Sequence, residues 1–412
     1  MERRATPSEP SEPVFSLEAE DSKRLMLPPQ GQFYYLRRLI VVTSAAAIAL
    51  IIVLIITLSI TLYRLNDKCP TYTPVNYNVW TQIFPSGGAP QGRFSAGAVA
   101  VGSKMYLFGG AYGQTNLNIT YQYFNDMWVY DDNDQSWTPI AQQGAVPPPR
   151  LFQSMVVMNG NQILLFGGFT AFQNQPGQSA YNDFYQFDTT TNTWYNLTST
   201  SGGLWPSKRG AQGAIWYEGF MYMYGGYEII NVTGQLREMW RFQWSTQTWA
   251  NLNVSGPQGR IGFSFVLDGE YAYMMDGGCS ITDNPYGQCN SIWKYQPSVN
   301  VWTQVSTGEN KPAARKATNA DVSVGGIIYQ LFGLNQSGTE VTLFNDVWAY
   351  DPTHDLWMEM FPNFNLGPLP PPTFGHVSVA IGQTIIAFGG RTTSVLDPGS
   401  NQLWAYTPLI PI

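Results

Sequence analysis

The sequence is poor in charged side chains. Only 12% of its 412 residues are Asp, Glu, Lys or Arg, about half of the roughly 25% that soluble domains carry. The formal net charge is -7, and no segment concentrates Lys and Arg in the stripes that neutralise a phosphate backbone. We therefore expect no nucleic-acid partner.

Residues that carry catalysis or bind metals are also scarce. The chain has two histidines, His354 and His376, and no Gly-x-Ser-x-Gly segment of the kind that presents a nucleophilic serine. We expect no catalytic residue, no metal and no cofactor. A carbohydrate-active or other hydrolase or isomerase stays open as the alternative, because paired carboxylates leave no sequence signature. Its candidates are Asp276, Glu228 and Glu238.

Cysteine is nearly absent, with three residues in the chain. Cys279 and Cys289 have nine residues between them, and we predict a disulfide there over the alternative of two buried free thiols. Cys69 is then unpaired within the chain. It could join a second copy in a dimer, or stay a free or lipid-modified thiol.

One long apolar run breaks this polar pattern. Residues 39–63 form 25 positions without a charge, which is enough to cross about 30 Å of hydrocarbon as a helix. A cleaved signal peptide has an apolar core of about 7 to 15 residues. The run therefore predicts a membrane-spanning signal anchor, with a disordered tail at 1–38 and a linker at 64–76.

The flanking charges predict the orientation of this span. Two basic residues follow it, Arg64 and Lys68, and four precede it: Lys23, Arg24, Arg37 and Arg38. The positive-inside rule then puts the N-terminus in the cytosol and the rest outside the cell or in the secretory lumen, at the plasma membrane or Golgi. Five glycosylation sequons lie on that side, at Asn118, Asn196, Asn231, Asn253 and Asn335.

The remainder of the chain repeats one pattern six times. Each copy has an alternating strand, a strand that ends at glycines, a variable loop, an aromatic strand and, in five copies, a second tryptophan strand. The glycine positions start at Gly109, Gly167, Gly225, Gly277, Gly333 and Gly389. The aromatic motif, typified by Asn-Asp-x-Trp-x-Tyr, starts at Asn125, Asn182, Arg237, Asn290, Asn345 and Asn401. The second tryptophans are Trp137, Trp194, Trp249, Trp302 and Trp357.

The sixth copy lacks its tryptophan strand, and the missing strand lies at the other end. The segment NVWTQI at 78–83 matches the tryptophan strands but precedes the first full copy. It therefore predicts a ring that closes on itself, in which this strand completes the last sheet and removes two exposed edges. The fold class is all-β, with six four-stranded blades over 77–408.

These motifs resemble the kelch repeat, which also builds the central propeller of galactose oxidase. The resemblance covers about 76–408 and implies a six-bladed kelch-type β-propeller. Copper-radical oxidases with this propeller use a tyrosine-cysteine cofactor and histidine ligands. This chain has too few histidines and no suitably placed cysteine, so that activity is not expected.

Three positions depart from the repeat. The fifth copy has Gly333-Leu334 in place of two glycines, and the sixth has Thr373 where the others have arginine. Asp276 stands in the slot that holds an aromatic residue elsewhere. We predict that Asp276 forms a structural pair with one of the arginines of the repeat, and a functional role for Asp276 is the alternative.

The antiparallel strand order places the variable loops and the Pro-x-x-Arg turns on one face, opposite the entry of the tether. Two sets of residues there are candidate ligand contacts. The arginines, which could instead hydrogen-bond the backbone between blades, are Arg93, Arg150, Arg209, Arg260 and Arg315. The loop aromatics, which could instead pack their own loops, include Tyr112, Tyr121, Phe169 and Phe172.

Together these observations favour a binding protein over an enzyme. The cytosolic adaptor role common among kelch proteins depends on a partner-recruiting domain, which we do not find. We expect an anchored ectodomain that binds an extracellular or lumenal protein or glycan through its membrane-distal loop face.

Overall fold

The computed structural model describes most of the repeat region and little before it. The described residues are 47, 50–55, 57–58, 78–113, 121–171, 178–198, 203–228, 235–279, 287–316, 320–337, 340–362, 367–392 and 398–409. The chain divides into two compact units, Met1–Val75 and Asn76–Ile412.

In the first unit, residues 50–55 are helical and their apolar side chains are exposed. Within the described positions, no helix has the length and apolar character needed to cross a membrane. The predicted tail at 1–38, the linker at 64–76, Cys69 and most of 39–63 lie outside the described residues. The membrane anchor stays a prediction.

In its described residues, the second unit is an all-β propeller of six blade sheets, of which five have four strands and the second blade's has five. Strand β1 (Val79–Ile83) belongs to the last blade. The first blade contains β2 (Gly97–Val101), β3 (Lys104–Phe108), β6 (Met127–Asp131) and β7 (Ser136–Pro139), with a loop ribbon of β4 (Ala111–Tyr112) and β5 (Gln122–Tyr123). The second contains β8 (Gln143–Gly144), β9 (Ser154–Met158), β10 (Gln162–Phe166), β11 (Phe184–Asp188) and β12 (Thr193–Asn196). The third contains β13 (Gly213–Tyr217), β14 (Phe220–Tyr224), β15 (Met239–Gln243) and β16 (Thr248–Asn251).

The last three blades follow the same order. The fourth contains β18 (Ser264–Asp268), β19 (Tyr271–Met275), β21 (Ile292–Gln296) and β22 (Val301–Val305), with a short pair of β17 (Arg260–Ile261) and β20 (Gly278–Cys279). The fifth contains β23 (Val322–Val324), β24 (Ile327–Leu331), β27 (Val347–Asp351) and β28 (Leu356–Met360), with a ribbon of β25 (Leu334–Ser337) and β26 (Glu340–Leu343). The sixth contains β29 (Phe374–Ile381), β30 (Thr384–Arg391) and β31 (Leu403–Thr407).

The predicted ring closure is confirmed. β1 pairs antiparallel with β31, from Val79 opposite Thr407 to Ile83 opposite Leu403, so the sixth sheet has the order β1-β31-β30-β29. Asn78 Oδ1 accepts hydrogen bonds from Tyr406 Oη at 3.1 Å and from the Leu409 amide at 3.0 Å. The chain therefore enters and leaves the propeller at the same face.

Aromatic and aliphatic side chains fill the six interfaces between neighbouring blades. The tryptophan of each outer strand packs on the preceding blade: the ring of Trp194 lies 5.1 Å from that of Phe108, and Trp249 lies 5.3 Å from Phe166. In the closing strand, Trp80 stacks on Phe332 at 5.3 Å. Burial of such rings is the main favourable contribution to the stability of the propeller.

The backbone corrects the assignment of Asp276. β19 ends at Met275, which takes the place that Phe108 has in the first blade, because Met275 pairs with Ser264 as Phe108 pairs with Gly97. Asp276 therefore occupies the first glycine position, not the aromatic slot. Its φ is 58°, against 69° for Gly109.

The fifth blade shows the same shift. Phe332, with φ 55°, occupies the first glycine position, and Gly333 is the second glycine. The amide of the second glycine donates to the carbonyl of the residue at the arginine position of the next blade in each case: Gly277 to Arg315 at 3.0 Å, and Gly333 to Thr373 at 2.9 Å. The predicted glycine positions, Gly277 and Gly333, are therefore one residue out of register in these two blades.

A ring of backbone hydrogen bonds surrounds the axis on the loop face. The amide of Ser95 donates to the Gly375 carbonyl at 2.7 Å, Phe152 to Ser95 at 2.9 Å, Ala211 to Phe152 at 2.9 Å, and Gly262 to Ala211 at 3.1 Å. All five residues have φ between 53° and 67°. The corresponding part of the fifth blade lies outside the described residues. We call this arrangement the amide ring.

Candidate functional site: the loop face and the central channel

The variable loops and the arginine turns lie on one face, which we call the loop face. In every blade a residue at or just after the arginine position pairs with one just after the second glycine position, as Phe94 with Ala111, Leu151 with Phe169, and Lys316 with Leu334. The pairs in the other blades are Gly210 with Tyr227, Ile261 with Gly278, and Phe374 with Arg391. β1 enters from the opposite face, because it pairs antiparallel with β31.

The five predicted arginines are buried and bonded inside their own blades. Arg150 forms a two-pronged pair with Asp183 at 2.6 and 2.7 Å and donates to the Gly167 carbonyl at 2.8 Å. Arg93 and Arg315 make the same pair with the acid of their own aromatic motif, and Arg209 reaches Glu238 at 2.6 Å. The geometry favours a structural role, but within each blade and not between blades as the alternative had it. These arginines therefore do not enter the proposed binding surface.

The fourth and sixth blades vary this pair. Arg260 meets Ser291 instead of an acid, and it donates to the carbonyls of Asp276 at 2.7 Å and Ser291 at 2.9 Å. Burial lowers the pKa of Arg260 to about 10. In the sixth blade Thr373 replaces the arginine and Gln402 replaces the acid, so both charges are absent together. A buried charge without its partner is costly, and the sixth blade carries neither charge.

The predicted loop aromatics are mostly packed inside the loop face. Phe169 and Tyr121 are buried in a cluster with Phe94 and Leu151. Tyr112, in β4, is half-buried. Phe172 lies outside the described residues. Of the predicted loop aromatics that the structure describes, Tyr112 is therefore the most accessible to a ligand.

The loops of the fourth and fifth blades are braced against each other. Cys279 and Cys289 form a disulfide, with their Cα atoms 5.8 Å apart. Gln288, beside Cys289, donates to the Gln336 carbonyl at 2.9 Å and accepts from the Gln336 amide at 3.2 Å. This fixes β25 and leaves β26, with Val341 38% exposed, as the outer strand of its ribbon.

Asp276 is buried at the interface of the fourth and fifth blades, but its side-chain partner is not an arginine. Gln330 Nε2 donates a hydrogen bond to Asp276 Oδ2. Burial holds the pKa of Asp276 well above its ordinary value, against the opposing charges of Arg315 and Arg260. The charges of Arg315 and Arg260 thus act on Asp276 from a distance. Among the described residues, Asp276 forms no ion pair within 4.0 Å with either arginine.

Two residues near Asp276 were missed at the sequence level. Gln330 occupies a position that is apolar in the other blades: Leu107, Leu165, Met223, Met274 and Ala387. Asp321 precedes β23 and is 6% exposed. The sequence did contain a signal for Asp321. It lies six residues after the arginine of its blade, Arg315, whereas in the other blades the equivalent residue lies five after the arginine position, as Ala98 does after Arg93.

Asp321 lines a central channel with a cavity of about 400 Å³, formed by the innermost strands of the blades. The side chains at the position of Asp321 in the other blades are Ala98, Met155, Ala214, Phe265 and Ser378. Burial raises the pKa of Asp321 to about 7, opposed by Ser264, Arg315 and Gln330. The channel lining is mixed, because apolar side chains alternate in it with the polar residues Ser95, Gln153, Ser154, Ser323 and Ser378.

Two of the three carboxylates considered for catalysis, Glu228 and Glu238, lie near Arg209, whereas Asp276 is buried between the fourth and fifth blades. Glu238 is paired with Arg209 and accepts a hydrogen bond from Trp240 at 2.7 Å. His376 is buried, its ring 4.8 Å from that of Phe332, and burial lowers its pKa to about 3. His354 is exposed beside Asp351. No group of three His, Cys, Asp or Glu side chains suited to a metal occurs in the described ranges.

The described sequons differ in access. Asn196 and Asn253 are exposed. Asn335 is half-buried in β25, and its side-chain amide donates to the Ala314 carbonyl at 2.8 Å, which hinders glycan attachment. Asn118 and Asn231 lie outside the described residues. Glycosylation at all five stays a prediction.

Comparison with known proteins agrees with this geometry. The family model described as "KLHDC2/KLHL20/DRC7 Kelch-repeats domain" matches residues 62–226 and 174–390. The chain is 25% identical to the leucine-zipper-like transcriptional regulator 1 homolog of Drosophila melanogaster, over 83% of this chain and 34% of that protein. It thus spans about a third of the length of that relative.

Two other relatives are covered over most of their length. Kelch domain-containing protein 3 of Homo sapiens is 25% identical over 74% of this chain and 79% of its own length. N-(sulfonatooxy)prop-2-enimidothioate sulfolyase of Thlaspi arvense is 27% identical over 73% of this chain and 87% of its own length. The relatives include an enzyme and proteins named only for their repeats.

Proposed function

The chain belongs to the kelch-repeat family, and from its geometry we propose that the propeller is a non-enzymatic module that binds a protein ligand on its loop face. We also propose that 39–63 anchors the chain in a membrane, with the propeller extracellular or lumenal.

The observation that carries this proposal is the braced ribbon of the fifth blade. β25 is held by Gln288 and by the bridge from Lys316 to Leu334, whereas β26 has no strand on its other side in the described residues. An unpaired strand edge can bind an extended peptide by adding a strand. A rigid frame lowers the entropy that such binding costs.

A protein ligand is favoured over a glycan because the predicted stacking aromatics Tyr121 and Phe169 are buried. The sulfolyase relative does not change the proposal. Its activity is its own, and of the candidate carboxylates here Glu238 is paired with Arg209 and Asp276 is buried beside Gln330.

The experiment expresses the full-length chain with a C-terminal tag in a secretory host. Surface labelling of intact cells tests the orientation, and the protein is screened against extracellular protein and glycan arrays at two salt concentrations. We expect a saturable protein ligand that is lost in Val341→Arg on the loop face. The matched control is Val299→Arg, which is 56% exposed at the opposite face. If the two variants bind the ligand equally well, the binding site does not include β26.

A further inference from the structure

The fourth blade lacks the acid that neutralises the buried arginine in four of the other blades. Those acids are Asp126, Asp183, Glu238 and Asp346. Ser291 takes their place and accepts a hydrogen bond from Arg260 Nη2. Asp276 acts on Arg260 electrostatically, but the pKa of Asp276 is raised well above its ordinary value, so it neutralises the guanidinium only in part. The fourth blade therefore keeps a positive charge that the four acids cancel in their own blades.

A groove of about 410 Å³ opens beside Ser291, where β22 ends. Its polar lining consists of Asn290, Ser291, Gln304, Ser306, Thr307 and Lys311. All six residues are exposed or half-buried, so a ligand can reach them. The volume lies within the usual range for small-molecule sites, roughly 300–1,000 Å³.

Asn290 brings an unused hydrogen-bond donor to this groove. The equivalent asparagines donate from Nδ2 to the carbonyl of the proline three residues before the arginine position, as Asn125 does to Pro147 at 3.3 Å, Asn182 to Pro206 at 3.2 Å and Asn345 to Pro370 at 3.3 Å. Pro312 has that position in the loop before the fifth blade. Among the described residues, Asn290 makes no such bond, so its side-chain amide is left for a ligand.

Two further donors line the groove. Ser291 Oγ already accepts from Arg260, so its own hydrogen is left for another acceptor. Lys311 forms no ion pair in the described part of the chain, and Glu309 in the same loop is exposed. Arg260 is enclosed behind Ser291 and contributes its charge without contact. An ammonium, an amide and a hydroxyl donor beside this charge favour an anion.

We propose that this groove binds a small sugar acid. Asn290, Ser291 and Lys311 hold its carboxylate, the chemical group that the repeat itself places here in four other blades. Gln304 and Thr307 can each donate and accept hydrogen bonds, which suits the hydroxyl groups of a sugar. The site does not include β26 and does not depend on the ligand proposed for that strand.

The test measures binding of D-glucuronate to the purified full-length protein at pH 7 and low salt, by ligand-observed NMR and calorimetry. D-Glucose, which has a hydroxymethyl group in place of the carboxylate, is the matched probe. We expect glucuronate to bind saturably and at least about tenfold tighter than glucose, which corresponds to about 1.4 kcal/mol. Lys311→Gln should lose most of this preference. Lys208→Gln, which removes the same charge from an exposed position before Arg209, should keep it.

Ser291→Asp restores the acid of the repeat and distinguishes occupation of the site from damage to the fold. The introduced carboxylate should pair with Arg260, as Asp183 pairs with Arg150. It should therefore raise the midpoint of thermal unfolding and abolish glucuronate binding. Sulfate is titrated in the same way to test whether any anion suffices.

Four results would overturn the proposal. They are the absence of saturable binding, equal binding of glucose and glucuronate, unchanged binding by Ser291→Asp, and binding of sulfate as tight as that of glucuronate. If Ser291→Asp does not fold, Lys311→Gln against Lys208→Gln decides, because both substitutions change side chains that reach solvent.

Discussion

The side-chain amide of Gln330 donates to the carboxylate of Asp276 across the interface of the fourth and fifth blades. Both residues depart from the repeat: Gln330 stands in an apolar position, and Asp276 stands at the first glycine position. Each gives the other the hydrogen bond that a buried polar group needs. The two departures are therefore coupled.

Gln330→Leu restores the apolar pattern and removes the donor to Asp276. We expect a loss of about 1–3 kcal/mol in the free energy of unfolding, because the carboxyl group is left unbonded in the core. Adding Asp276→Gly should recover part of that loss. Thermal and urea unfolding of the two single variants and of the double variant would measure the effect. Strictly additive effects would show that the two residues are independent.

Asp321→Asn tests the pH dependence of stability. The pKa of Asp321 is about 7 in the folded chain, above its ordinary value of roughly 3.9. Between these values the folded chain binds a proton that the unfolded chain does not, so stability falls as the pH rises from about 4 to 7. Three pKa units correspond to about 4 kcal/mol at most.

The variant should therefore be more stable than the unaltered protein at pH 8, by roughly 2–4 kcal/mol, and about equal to it at pH 4. Unfolding curves at both values give the comparison. Because Asp276 has a raised pKa as well, some pH dependence should persist in the variant. If the difference in stability between the variant and the unaltered protein is the same at pH 4 and at pH 8, Asp321 is not the titrating group.

Asp183→Ala removes the partner of a fully buried guanidinium. Arg150 would remain uncompensated inside the second blade, and we expect a loss of about 3–5 kcal/mol. Lys104→Ala, which breaks the more exposed pair with Asp131, should cost less than about 1 kcal/mol. Similar losses in chemical denaturation of both variants would contradict a structural role for the buried arginines.

Trp80→Ala tests the ring closure. Trp80 packs on Phe332, Trp404 and Tyr406, and its truncation should cost about 3–5 kcal/mol. Phe84→Ala, one residue beyond β1 and 81% exposed, should change stability by no more than about 0.5 kcal/mol. Limited proteolysis should cut the Trp80 variant first between β1 and the first blade. A stable, protease-resistant Trp80 variant would show that closure contributes little.

The fold was predictable because its determinants recur. Glycines at strand ends and tryptophans at blade interfaces repeat with a regular spacing, and the displaced strand at 78–83 shows the closure directly. The position of Asp276 was not predictable, since two adjacent glycines follow it in the sequence and only the pairing of Met275 with Ser264 fixes the register.

The candidate site was less predictable than the fold. Arg150 and Phe169 belong to the predicted face, but burial, which sequence alone does not give, removes them from the surface. Asp321 lies just before β23, and its only mark in the sequence is the extra residue that separates it from Arg315. Its meaning depends on the channel, which exists only once six blades close around it.

The amide ring has an electrostatic consequence for that channel. Its peptide dipoles follow one another head to tail around the axis, from Gly375 through Ser95 and Phe152 to Gly262, instead of pointing along it as in a helix. In the described part of the ring the dipoles therefore do not add up along the axis, as they would in a helix. An ion on the axis would meet no array of amide groups pointing at it, unlike an anion at a helix N-terminus.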